Sequence, residues 1–132
     1  MLCWIMMTAT CLLIPGVLMG FGSLFAANPP STVNALFGYR TAMSMKNKDT
    51  WIFANRYWGK LARKTGFITL IVSLIAMATV ILQSDDTIAL VGTIVMLLQL
   101  IPILGTIPVV EKALKKEFDP NGNRRTKEKG TA

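Results

Sequence analysis

The chain has 132 residues, of which 52% are hydrophobic and only 16% charged, and fourteen Lys and Arg outweigh seven Asp and Glu for a net charge of +7. That balance excludes an ordinary soluble domain, and the length leaves room for one domain only. With no histidine and two cysteines, it also offers no metal-ligand spacing and no evident nucleophile–base pair.

The first element is an apolar run from Leu2 to Phe25, without an acidic or basic residue. About 20 helical residues cross a bilayer core, so this run is expected to span. A cleaved signal peptide would carry a basic start and a shorter apolar stretch, and no basic residue precedes Arg40. Cys3 and Cys11 lie eight residues apart on this helix, about 12 Å, out of disulfide reach; they read as small packing residues. Gly16 and Gly20 follow Pro15 at four-residue spacing, a pattern that lets two helices approach closely. Asn28-Pro29-Pro30-Ser31 stops the helix.

A polar loop follows, opened by Asn34 and rich in Gly38, Arg40, Thr41, Ser44 and Asn47. Asn47 is placed to cap a new helix, with Asp49 in its first turn where the dipole favours an anion. From there Trp51, Ala54, Trp58, Leu61 and Ala62 share one face, and Arg56, Lys60, Arg63 and Lys64 the other. This spacing predicts an amphipathic helix from Asp49 to Lys64 in the membrane interface, with Trp51, Tyr57 and Trp58 as aromatic anchors. It runs into a second apolar stretch, Gly66 to Gln83.

Ser84-Asp85-Asp86-Thr87 makes an acidic connection to a third apolar run, Thr87 to Val110. Its end holds Pro102, Gly105 and Pro108, which predict a kinked or partly broken helix. Gln99, one turn earlier, is the most deeply placed strong polar side chain and is expected to bond a neighbouring helix or a freed carbonyl. The segment 118–132 reads as a basic tail, turn-like at Asp119–Asn123 and then disordered; 1–117 is the membrane domain.

The expected fold is therefore an all-α integral membrane protein with three transmembrane helices plus one amphipathic interfacial helix. All fourteen basic residues fall between Ala27 and Thr65 or after Val110. Basic loops stay on the cytoplasmic side, which predicts an external N-terminus, an external Asp85/Asp86 hairpin and an internal C-terminus. The positive charge points to the lipid bilayer and its anionic head groups as partners, not to nucleic acid.

Phe37-Gly38-Tyr39-Arg40-Thr41, then Ser44, Asn47, Trp51, Arg56 and Gly59-Lys60, resembles the signature of the SdpI family, whose namesake is a membrane immunity protein against the sporulation-delaying toxin. The motif covers about a fifth of the chain, and the flanking spans fit the family's layout. Two departures stand out: the namesake carries an additional membrane half ahead of this domain, and Ala42 stands where a proline often follows the Arg-Thr pair. The resemblance implies a protein of a bacterial cytoplasmic membrane that binds a peptide toxin or a soluble regulator.

Candidate partner- or ligand-binding residues are Asn34, Gly38, Arg40, Thr41, Ser44, Asn47, Trp51, Asn55, Arg56, Gly59 and Lys60; candidate helix-packing residues are Gly16, Gly20 and Gln99. Gly38 allows a turn or a close approach, and Arg40 can clamp a phosphate or carboxylate with its planar fork, ringed by Thr41, Ser44, Asn47 and Asn55. Arg40 could instead pair with Asp49 or with helix-end carbonyls and fix the loop. Three functional classes follow. The first is a non-enzymatic partner-binding protein in toxin immunity or membrane signalling, with no cofactor. The second is an oligomeric small transporter or channel subunit, although relays need ionisable groups inside the spans and none is there. The third is a lipid-modifying enzyme built on the Arg40 loop.

Overall fold

The computed structural model describes residues 1–31 and 38–125. They form three helices, α1 (Leu2–Ala27), α2 (Lys48–Ala78) and α3 (Asp85–Glu117), each long and apolar enough to cross a membrane. α1 runs antiparallel to α2: Trp4 meets Met77, Pro15 meets Gly66 and Gly22 meets Gly59. α3 lies parallel to α1, with Cys3 beside Asp85 and Cys11 beside Gly92.

Among the described residues no separate interfacial helix is found; α2 runs unbroken for 31 residues from Lys48 into the apolar stretch. The physical reason is the absence of a breaker between Asp49 and Gly66, since Gly59 alone does not end a helix and is used here for packing. The apolar face that suggested an interfacial helix is turned inward instead. Trp51, Ala54 and Ala62 are fully buried against the rest of the protein, while Arg56, Lys60, Arg63 and Lys64 stay exposed. At about 1.5 Å per residue α2 is about 46 Å long, well beyond a bilayer core of about 30 Å.

The other boundaries shift as well. α2 stops at Ala78 rather than Gln83, and turns at Val80 and Gln83 lead to Ser84. Ser84 caps α3 by accepting a hydrogen bond from the Thr87 amide at 3.3 Å, with Asp85 and Asp86 in the first turn. α3 continues as helix through Pro102 and Pro108 to Glu117, so its basic end is not broken. Spanning helices tolerate proline where neighbouring groups re-satisfy the freed carbonyls.

Gly16 and Gly20 face outward, and a methyl added at either would meet no atom of the other described elements within 4 Å. The close approach is made by Gly22, Gly59 and Gly66. A methyl on Gly59 would lie 2.5 Å from the Ala26 nitrogen and 2.8 Å from the Gly22 carbonyl oxygen.

Two apolar clusters divide the molecule. One, at the end with the acidic hairpin, is built from Cys11, Met77, Val80 and Ile88, with Trp4, Met7 and Val91 against it. The other, at the basic end, comprises Tyr39, Ala54, Val110, Leu114 and Phe118 with Met43, Phe53, Trp58 and Leu61. Phe118 is wholly buried, and Phe118 pairs with Arg124 as an antiparallel bridge across the Asp119–Asn123 turn. Residues 118–125 pack onto the bundle, with the expected turn at Asp119–Asn123, because an aromatic side chain anchors them; 126–132 lie outside the described residues.

Candidate functional site: the cap at the basic end

The loop carrying the motif is held on the start of α2 by five polar side chains. Asn47 caps α2, accepting from the Thr50 amide at 2.9 Å, and Thr50 Oγ1 accepts from the Asn47 amide at 3.1 Å. This reciprocal pair satisfies two amides that would otherwise be orphaned. Ser44 Oγ, fully buried, accepts from the Thr41 amide at 2.8 Å, and the Ser44 amide donates to Thr41 Oγ1 at 3.2 Å. Asn55 reaches up one turn from Trp51 and grips Tyr39 on both sides: its Oδ1 accepts from the Tyr39 amide at 2.6 Å, and its Nδ2 donates to the Tyr39 carbonyl at 3.3 Å.

Gly38 makes that grip possible. Its φ of 102° lies where side chains are disfavoured, and a methyl there would sit 2.6 Å from Asn55 Oδ1. Trp51 closes the other flank, fully buried, with its indole nitrogen donating to the Pro30 carbonyl at 2.9 Å. The Tyr39 hydroxyl crosses to α3, donating to Glu111 Oε1 at 2.8 Å, with the Ile107 carbonyl oxygen 3.2 Å away. Burial pushes the Tyr39 hydroxyl well above its ordinary pKa, and the Glu111 carboxylate that accepts its hydrogen bond adds to the effect.

The segment after α3 completes the cap. Arg124 spans two carboxylates, with Nε and Nη2 donating to Asp49 at 2.8 and 2.9 Å and Nη1 to Glu117 at 2.8 Å. Its guanidinium stacks 4.9 Å above the Phe118 ring, and the hydrogen bonds to Asp49 raise its already high pKa. Asn47 Nδ2 donates to the Gly122 carbonyl at 2.7 Å; Gly122 has a φ of 87°, which a side chain would strain.

The sequence candidates therefore separate into two groups. Gly38, Thr41, Ser44, Asn47, Trp51 and Asn55 come together, but their polar atoms hold backbone and do not ring the Arg40 guanidinium. Arg40, Arg56 and Lys60 are exposed, and Arg40 does not pair with Asp49, which Arg124 occupies. Gly59 is at the α1 contact. Asn34, like Phe37 of the motif, lies outside the described residues. Gln99 belongs to the bundle interior, where its Nε2 donates to the Cys11 carbonyl and to Ser73 Oγ, both at 2.8 Å.

Sequence reasoning passed over Thr50, Glu111, Phe118, Arg124 and Gly22. The three-residue step from Asn47 to Thr50 is a capping-box spacing and could have disclosed the first. Nothing local discloses a contact such as Asp49–Arg124, between residues 75 apart.

The model of the SdpI/YfhL protein family matches residues 31–109, which take in the motif loop, α2 and most of α3. A curated relative, the uncharacterized protein YfhL of Bacillus subtilis (strain 168), is 36% identical over 53 residues, 40% of this chain and 48% of the relative. The aligned stretch thus spans about half the length of that relative. No solved structure matches the chain. With the family's match covering more than half the sequence and including the loop that builds the cap, this chain belongs to the SdpI/YfhL protein family.

Proposed function

We propose that this chain is a non-enzymatic receptor-like membrane protein whose basic-end cap binds a peptide or protein partner, in toxin immunity or membrane signalling. The observation that supports this reading is the division within the motif. The polar residues at Gly38–Asn55 are consumed in fixing the loop, which leaves Arg40 presented to solvent on a rigid base, with Arg56 and Lys60 exposed on α2. A preorganised loop binds with less ordering cost than a loose one. An exposed guanidinium on such a loop suits a carboxylate-bearing partner, because its planar donors meet two oxygens at once. Both basic blocks would face the cytoplasm of a bacterial inner membrane, and the Asp85/Asp86 hairpin the outside.

The test is an activity assay, host protection or partner recruitment, on Arg40→Ala and Arg40→Lys at matched membrane levels. Both variants should lose activity, Lys nearly as much as Ala, since Lys keeps the charge but not the fork. Full activity in both would remove Arg40 from the site. Orientation is checked separately: a reporter after Ala132 should read cytoplasmic and a tag within 84–87 external, and the reverse result would place the cap on the wrong side for a cytosolic partner.

A further inference from the structure

Along the outer flank of α1 and α2 runs an open groove of about 650 Å³. Met19 of α1 and Tyr57, Lys60, Arg63, Lys64 and Phe67 of α2 line it. Among the described residues no carboxylate lines its cationic wall, and Lys60, Arg63 and Lys64 make no ion pair. The nearby acids are otherwise engaged: Asp49 and Glu117 hold Arg124, and Glu111 takes the Tyr39 hydroxyl. Lys60 and Lys64 are four residues apart with Arg63 beside them, so the three head groups can converge within one turn of helix.

The depth of the groove matters as much as its charge. Gly22 meets Gly59 and the Arg63 amide, and Met19 meets Gly66, so the three cations stand level with the last two turns of α1's apolar run. Immediately beyond them, exposed Phe67 and Ile68 begin the uncharged part of α2. A cationic rim over an apolar floor, at the boundary of two spanning helices, matches the two chemistries of one molecule: a phosphate and an acyl chain. We propose that this groove is a binding site for an anionic phospholipid, its phosphate held by Lys60, Arg63 and Lys64 and one acyl chain lying along Met19 and Phe67. The volume falls within the usual range for small-molecule sites, and basic pockets between spanning helices are apt for anionic head groups.

The proposal separates from the partner site at Arg40 if it is tested at Arg63 and Lys64. Detergent-purified protein is titrated with phosphatidylglycerol and, separately, phosphatidylcholine, and bound lipid is counted by native mass spectrometry. The wild type should prefer phosphatidylglycerol, and Arg63→Gln/Lys64→Gln should lower its affinity for that lipid roughly thirtyfold. The charge-matched Lys112→Gln/Lys116→Gln should retain binding, and Met19→Trp, which fills the floor while keeping every charge, should lose it. Equal loss in both charge variants would mean general attraction to a basic surface and overturn the site. Unchanged binding in Met19→Trp would overturn the acyl-chain part, and displacement of the lipid by a soluble acidic peptide would assign the groove to a protein partner instead.

Discussion

The two ends of the molecule are held by different means. At the acidic-hairpin end the helices meet through an apolar cluster and a few polar contacts: Trp4 to the Met77 carbonyl, Cys11 to the Gly92 carbonyl, Gln99 to Cys11 and Ser73. At the basic end a loop and a turn are clamped onto helices that outreach α1, using a capping box, an asparagine grip and an aromatic cluster. The contrast follows from solvent. In lipid there is no hydrophobic drive between helices, so close packing decides; beyond it, backbone groups must be satisfied and apolar faces hidden from water.

The largest expected effect is at the seam joining the two regimes. Gly59→Leu would drive a side chain into the Gly22 and Ala26 backbone and should abolish a stable α1–α2 pair, read as loss of folded protein in detergent. Gly20→Leu, on the open outer face, should leave that signal unchanged. In the cap, Phe118→Ala should cost about 3–5 kcal/mol of local stability and expose the turn to protease. Asn55→Ala leaves the buried Tyr39 amide unmatched, at about 1–3 kcal/mol, while the Tyr39 carbonyl keeps the Ser44 hydroxyl at 3.2 Å. Loss at Gln99→Leu should be smaller, about 0.6 kcal/mol, because interhelical hydrogen bonds in membranes are weak on average. Asp49→Asn should cost least, under about 1 kcal/mol, since the Asp49 and Arg124 side chains are about half exposed. If Asp49→Asn cost more than Asn55→Ala, the ranking of buried grip over surface clasp would be wrong.

pH sharpens the same contrast. Tyr39 has a raised pKa in the folded cap, so its stabilisation is complete below the ordinary tyrosine value of about 10 and is lost as pH rises beyond it towards the folded value. Alkaline titration should therefore loosen the cap before the hairpin end, followed by protease cleavage near 118–125, and Tyr39→Phe should remove that difference.

The three apolar runs made the spanning helices legible from sequence, because uncharged stretches of that length have few alternatives. The amphipathic face of α2 was legible too, but not what covers it. Periodicity records that Trp51, Ala54 and Ala62 seek burial and is silent on whether lipid or Pro30 and Leu114 provide it. For the same reason the motif's polar residues looked like ligands for Arg40, whereas they serve the loop's own backbone. Gly16 and Gly20 show the limit of a spacing rule: the seam uses Gly22 with Gly59, on two helices, which no single-helix pattern reveals.

The bond from Asn47 to Gly122 also imposes an order of events during synthesis. The residue that caps α2 waits for a partner translated 75 positions later. At ribosomal speeds of about 5–20 residues per second, that delay is roughly 4–15 s. By then all three helices have been made, and α2 has had time to enter the membrane with its cap unfinished. The turn at 118–125 is therefore docked last, as a closing step on helices already made, and a nascent chain stalled before Phe118 would present the motif loop without the turn that bonds Asn47.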